Sequence, residues 1–255
     1  MGILSNIEPK EVFQYFEELS MVPRSTFHTK KISDFCVEFA KAHNLEYIQD
    51  EMNNVIIKKP GTAGYEDSDP VIIQGHLDMV ATKTTDSDHD FENDPLDLFV
   101  DGDLIGAKNT TLGGDDGIAV AYAMAILAST DIPHPPIEAV FTVDEEIGMG
   151  PAHFDVKKFD ADYAYTLDGD TEGEIQFENF NACKAEFEIR GFNVHPGEGK
   201  DTMINASLVA IEINNCLPSM ETPRGTEDYE GFYHLTGMSG NVEHAELSYI
   251  VRDHD

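Results

Sequence analysis

Apolar positions along the first half of the chain recur at two spacings, and the change between them marks the predicted elements. Residues 9–20 and 29–43 follow the helical spacing; in the second stretch Ile32, Phe35, Cys36, Phe39 and Ala40 share one face, and Asn44 can close the helix. Short apolar runs at Leu45–Ile48 and Asn54–Lys58 then read as strands. A polar, Gly- and Asp-bearing loop at 61–69 gives way to Val71-Ile72-Ile73, a continuous apolar run suited to a buried strand. Gly117–Ser129 reads as an Ala-rich helix, and Ile137–Val143 and Asp162–Leu167 as further buried strands. Strands alternating with helices predict an α/β domain, a mostly parallel sheet with flanking helices.

The pattern changes after about residue 178. Lys184–Arg190 alternates apolar and charged positions, as a half-exposed strand does, and 201–216 is helix-periodic. Tyr233–Met238 and Ala245–Arg252 are again strands. Strand, helix, strand, strand is the opening of a split β-α-β motif, so a partial α+β, ferredoxin-like second domain is predicted, with residues 1–178 and 179–255 as the two domains. The sequence stops just after Ala245–Arg252, and that strand is expected to be an unpaired edge open to association.

Composition narrows the function. Hydrophobic residues make up 41% of the 255, enough for a full core. No apolar run approaches the ~18 residues of a membrane span, and the N-terminal residues lack the basic flank and apolar stretch of a secretory signal. Cys36, Cys183 and Cys216 lie far apart with no C-x-x-C pair, which fits a reducing cytoplasm, and Cys36 falls on a helix's apolar face. The net charge of −33 argues against nucleic acid and against anionic membranes. It also leaves carboxylates to spare for a metal.

Four clusters could carry chemistry. His76-Leu77-Asp78 follows the strand Val71–Ile73, where ligands of open α/β sheets bind; alternation puts His76 and Asp78 on one side, so the carboxylate can orient the imidazole. Leu112-Gly113-Gly114-Asp115-Asp116-Gly117 opens the Ala-rich helix, offering either metal-binding carboxylates or an N-cap. Asp144-Glu145-Glu146 ends the strand Ile137–Val143, where one acid can bind metal while its neighbour moves protons. Asp168 ends the strand Asp162–Leu167. Nitrogen and oxygen ligands of this kind suit zinc, with manganese or cobalt as substitutes. The acidic run Asp86–Asp97 has Phe91 where a calcium loop needs glycine, so a solvated loop is predicted. His28, His43, His89, His134, His153, His234 and His244 lack partners at ligand spacing and are read as surface or core residues.

On these motifs the chain resembles the co-catalytic two-zinc peptidases. Over residues 8–130, Lys59-Pro60-Gly61-Thr62-Ala63-Gly64, Gly75-His76-Leu77-Asp78-Met79-Val80 and Thr110-Thr111-Leu112-Gly113-Gly114-Asp115 are similar to the aminoacyl-histidine dipeptidase branch. From about 133, Asp144-Glu145-Glu146-Ile147-Gly148, Tyr165-Thr166-Leu167-Asp168-Gly169, Phe177-Glu178-Asn179-Phe180-Asn181, Asn193-Val194-His195-Pro196-Gly197 and Tyr229–His234 are similar to the tripeptide aminopeptidase (peptidase T) branch. The resemblance implies an incomplete catalytic domain (1–178) and a truncated lid or dimerisation domain (179–255). It implies two zinc ions, one held by His76, Asp115 and Asp168 and the other by Asp115, the bridging ligand, and Glu146. Glu145 would be the general base and Asp78 the support of His76. His195 would reach a partner subunit's site within a homodimer, and Arg252 would bind substrate. The family's last ligand, a histidine, would lie beyond residue 255, and His254 does not match it. The implied activity is hydrolysis of short peptides; the rivals are a deacylase or carboxypeptidase on the same scaffold and an inactive metal-binding fragment.

Overall fold

The computed structural model describes residues 2–150, 154–169, 171 and 173–255; His153 lies outside them. The chain divides into two compact units, Met1–Glu172 and Gly173–Asp255.

The first unit opens with α1 (Lys10–Ser20) and α2 (Lys30–Ala42), followed by a hairpin of β1 (Glu46–Gln49) and β2 (Val55–Lys59). Next come β3 (Val71–His76), a small separate hairpin of β4 (Leu98–Asp101) and β5 (Leu104–Ala107), α3 (Gly114–Ala128), β6 (Ile137–Thr142) and β7 (Ala164–Thr166). Its main sheet has the order β1-β2-β6-β3-β7. The sheet is mixed: β3 lies parallel to both β6 and β7, whereas β2 runs antiparallel to β1 and β6. The antiparallel edge follows from the short turn between β1 and β2, which can only reverse the chain, whereas the parallel strands are reached through long crossovers. The helices flank this sheet. Val12, Phe16 and Leu19 of α1, Ile32, Cys36 and Phe39 of α2, and Val120, Met124 and Leu127 of α3 bury with Val55, Ile57, Ala139 and Phe141. Cys36 is wholly buried, as its place on the apolar face predicts. A buried acid, Glu138, sits 2.5 Å from Lys58 Nζ and also accepts from the backbone N–H groups of Asp160 and Ala161. The β4–β5 hairpin has no counterpart in the sequence reading, because Leu98–Ala107 carries four-residue strands around Asp101-Gly102-Asp103 with little apolar alternation.

The second unit is β8 (Asn181–Arg190), α4 (Ala206–Cys216), β9 (Phe232–Gly240) and β10 (His244–Asp253). The sheet order is β8-β10-β9, with β10 antiparallel to both neighbours. Strands β8 and β9 are therefore parallel, joined through α4, with β10 inserted between them: a split β-α-β arrangement. This corrects the edge expected at Ala245–Arg252. That strand is central, and the edges are β8 and β9. The reason is topological: after the hairpin from β9, the open slot beside β8 lets β10 satisfy its backbone on both sides. Asn205 Oδ1 caps α4, accepting from Ser207 N at 3.0 Å. Ala206 and Ala210 of α4 bury against Ala245, Leu247 and Tyr249. Among the described residues no helix is long and apolar enough to cross a membrane.

Candidate metal centre

The three parallel strands end side by side, and each carries a predicted residue at or just beyond its carboxyl end: His76 on β3, Asp144-Glu145-Glu146 after β6, and Asp168 after β7. A crevice at strand ends of this kind is the usual ligand site of an open α/β sheet. The fourth contribution comes from the start of α3. Gly75 admits it: a Cβ there would lie 2.7 Å from Asp116 Oδ2 and 2.9 Å from the Ala119 side chain. Gly113, at φ +66°, makes the left-handed turn into the helix.

His76 is almost wholly buried, with 1% exposure. Its Nε2 lies 2.8 Å from Asp115 Oδ1, 3.8 Å from Glu145 Oε2 and 3.9 Å from Asp168 Oδ2. On the other side of the ring, Nδ1 is 3.1 Å from the backbone carbonyl of Asp78 and 3.4 Å from its Oδ1. That contact turns Nε2 toward the carboxylates. Asp78 is fully buried and accepts from Thr26 Oγ1 at 2.9 Å, Glu145 N at 3.1 Å and Glu146 N at 3.4 Å. It thereby fixes the short helical turn 145–147 as well as the imidazole. Glu146 Oε1 accepts from Val80 N at 3.1 Å.

Among the described residues two sets of possible ligand atoms each lie within 4.8 Å of one another: His76 with Asp115 and Glu146, and His76 with Asp116 and Asp168. Both converge on the one imidazole. Of the predicted residues, the fold gathers His76, Asp78, Asp115, Glu145, Glu146 and Asp168 here. His195 stands in the second unit, exposed, its Nδ1 accepting from Gly197 N at 3.1 Å. Arg252 is on β10, its guanidinium 4.7 Å over the ring of Phe180.

Sequence reasoning named Asp116 only as a possible ligand or N-cap and missed Arg24; both are buried partners of the centre. Asp116 accepts from the His76 backbone N–H at 3.0 Å and ties the start of α3 to the end of β3. Arg24, also buried, donates to the carbonyls of Leu77 (3.0 Å), Asp78 (3.2 Å) and Gly113, binding three loops of the centre together. No pattern around Pro23-Arg24-Ser25 announces this; the one available hint is a cation in an acid-rich chain.

The electrostatics are those of a site short of positive charge. Burial, reinforced by Asp168 and Asp115, pushes the Asp116 carboxyl up to about 7. Burial and Asp115 push Asp168 up to about 6, and the same two causes raise Glu146. Burial alone would lower His76, but the hydrogen bond to Asp78 and the charges of Asp116 and Asp78 outweigh it and lift the imidazole to about 9. Arg24, pulled down to about 10 by burial against the opposing pull of Asp116 and Asp78, remains charged. Six carboxylates thus crowd one imidazole and one guanidinium. A divalent cation would neutralise the excess, and an imidazole with oxygen donors is a donor set that fits zinc. The acidic loop Asp86–Asp97 forms no such group among the described residues; Asp90 instead caps its own turn, accepting from Glu92 N at 3.0 Å.

Known proteins resemble the chain in sequence and fold. The peptidase dimerisation domain of the M20 family matches residues 177–255. Peptidase T of Parabacteroides distasonis is 54% identical over 156 residues, which are 60% of this chain and 38% of that protein. The chain therefore spans about two fifths of the length of the curated relatives it matches. The crystal structure of aminoacylhistidine dipeptidase from Vibrio alginolyticus superposes on 98% of this chain and 54% of its own, with a TM-score of 0.72 and 26% identity. Aminopeptidase PepT from Bacillus cereus covers 96% of this chain and 67% of its own at a TM-score of 0.80 and 23% identity, a likeness of fold. The chain is thus similar to peptidase T over about 60% of its length, and residues 177–255 match the M20 peptidase dimerisation domain.

Proposed function

We propose that this chain carries the metal centre of a metal-dependent peptidase that hydrolyses short peptides, an aminopeptidase or dipeptidase of the cytoplasm. The observation that carries the reading is the convergence of His76 with Asp115, Glu145, Glu146 and Asp168 at the ends of three adjoining parallel strands. Its homology to peptidase T supports the substrate class. His76, Asp115 and Asp168 would hold one zinc; Asp115 and Glu146 would serve the second, with Asp115 shared. Asp116 is read as a support rather than a ligand, because its Oδ2 is already engaged by the His76 backbone N–H.

Bound zinc would supply Lewis acidity, making a water more acidic and a peptide carbonyl more electrophilic. The protein's own groups then divide the work. Glu145 Oε2, half-exposed and close to His76, takes the proton of the attacking water and delivers it to the leaving amine. Asp78 holds His76 Nδ1 and the 145–147 turn in register. The second unit serves as lid and dimer interface; there His195 polarises the scissile carbonyl in a partner subunit's site and Arg252 holds the substrate. The dimerisation-domain match supports the homodimer.

Glu145→Gln tests the assignment. It should retain bound zinc and lose at least ~100-fold in tripeptide turnover, whereas Glu146→Ala should lose metal. Loss of metal from the Glu145 variant with retention in the Glu146 variant would reverse the two roles. Turnover of N-acyl amino acids in place of di- and tripeptides would move the activity to a deacylase.

A further inference from the structure

Seven described non-glycine residues adopt a left-handed backbone, and six of them are Asn or Asp: Asn44, Asn53, Asn109, Asp144, Asp201 and Asp228. Those types visit this region at low cost. The seventh is Phe27, at φ 69°, where a bulky side chain is strained. Glycine or asparagine would make the same turn more easily, so the turn does not explain the ring.

Nor does packing explain it. Phe27 is 72% exposed, the most exposed aromatic side chain of the first unit among the described residues. Its backbone, in contrast, is firmly placed. Phe27 N donates to Asp144 Oδ1 at 2.9 Å, and the preceding Thr26 Oγ1 donates to Asp78 at 2.9 Å. Asp144 is the residue before Glu145. The fold therefore ties the backbone that carries an uncovered phenyl ring to the residue preceding the proposed base. A strained residue at such a place points to function, since strain persists where the surroundings enforce it.

One other exposed apolar residue is tied to the acids through its backbone, and a second follows them in sequence. Val80, 46% exposed, donates its N–H to Glu146 Oε1, and Ile147, 47% exposed, follows Glu146 directly. Single exposed hydrophobics need no explanation, but Phe27, Val80 and Ile147 are each hydrogen-bonded or adjacent in sequence to the acids Asp144–Glu146, and apolar groups beside a few polar ones are the common composition of a ligand site. A tripeptide spans about 10 Å, so one bound at His76 and Glu145 extends beyond these two residues to their surroundings. A neighbouring cleft of about 470 Å³, lined by Thr26, His28, Lys83, Asp88, Phe91 and Glu92 among others, does not include Phe27.

Building on the peptidase reading above, we propose that Phe27 is a specificity-determining contact that takes a large apolar side chain of the peptide, with Val80 and Ile147 as further exposed apolar neighbours of the acids. Burying part of an aromatic side chain against it is worth on the order of tenfold in affinity.

The test uses the zinc-loaded chain in the Glu145→Gln background, with binding measured calorimetrically for Ala-Ala-Ala and for the three tripeptides with Phe scanned through it. The parent should favour Phe over Ala about tenfold at one position. Phe27→Gly should abolish that preference while melting at the same temperature or higher, because glycine relieves the left-handed turn. Phe27→Tyr should keep it. Binding of peptides without any Phe preference, a preference that survives in Phe27→Gly, or a lower melting point with all four peptides weakened alike would overturn the assignment. A zinc-loaded chain that binds none of the peptides would overturn the peptidase reading itself, and the contact with it.

Discussion

The two units of this chain bury different things. Among the described residues every buried polar or charged side chain lies in the first unit, including Arg24, His76, Asp78, Asp116 and Glu138. The buried side chains of the second are Ala206, Ala210, Ala245, Leu247 and Tyr249, while Phe177, Phe192, Leu208 and Ile211 remain exposed. Buried charge is costly unless paired, so a fold that concentrates it beside a sheet's end is built around a site. Exposed apolar surface is costly in a different way, because it seeks cover. The first unit's sequence is constrained from within, and the second's from without.

The sharpest way to break this comparison is to remove one arginine from each unit. Arg24→Leu would leave the carbonyls of Leu77, Asp78 and Gly113 without their donor and the nearby carboxylates without their cation. A loss of about 3–5 kcal/mol is expected in urea unfolding. Arg252→Leu removes a guanidinium stacked on the half-open ring of Phe180 and should cost about 1 kcal/mol or less. Equal losses would mean that Arg24 is not the pin of the centre.

Metal content gives the next largest separation. Asp115→Ala should weaken zinc binding at least ~100-fold, because its carboxylate reaches His76 and belongs with Glu146. His195→Ala, in the second unit, should leave the metal content of the chain unchanged. Inductively coupled plasma analysis after dialysis against a mild chelator reads both, and Asp116→Asn provides the control. If Asp116→Asn loses as much metal as Asp115→Ala, the buried aspartate is a ligand and the division of roles is wrong.

The same contrast accounts for what could be read from the sequence. Helix and strand positions followed from the apolar pattern because cores impose it: α1 and α2 bury one face each, while β2 and β6 are continuous buried runs. The grouping of His76 with Asp115, Glu145, Glu146 and Asp168 was legible for a similar reason, since residues after neighbouring strands must meet once the strands pair. Contacts between loops remote in sequence left no periodic trace. Arg24 meets Gly113 across 89 positions, and Phe27 meets Asp144 across 117. The slot of β10 was misread because strand order depends on which neighbour still has free backbone, and alternation along one strand does not record that.

The pH dependence of the metal-free chain should distinguish the units further. Asp116, raised to about 7, stays protonated in the fold where the unfolded chain is ionised, so its contribution declines as pH rises from ~4 through 7. His76, raised to about 9, contributes stability below its unfolded value of ~6.5 that is lost as pH climbs through 9. Both signs agree: without metal the first unit should weaken by a few kcal/mol between pH 5 and 9. Added zinc should reverse the trend, binding more tightly as its ligands lose protons. Calorimetric melting at pH 5, 7 and 9 with and without zinc reads the effect, and a metal-free melting point that rises with pH contradicts it.

The smallest expected change in stability belongs to the second unit. Leu208 and Ile211 lie three positions apart on α4 and are both exposed, opposite in environment to the buried Ala206 and Ala210 of the same helix. Glutamate at 208 or 211 buries no new charge within the chain, so its effect on unfolding should stay within ~0.5 kcal/mol. Between two copies the outcome differs. A carboxylate placed on each face of a strongly acidic protein loses apolar cover and adds like-charge repulsion, which should weaken self-association tenfold or more. Sedimentation velocity across a concentration series separates the two effects. An unchanged monomer–dimer distribution in Leu208→Glu and Ile211→Glu would place the dimer contact elsewhere, at the free edge of β8 or β9. A loss of several kcal/mol in unfolding would instead show that this face is covered within the chain, and that the second unit, like the first, is constrained from within.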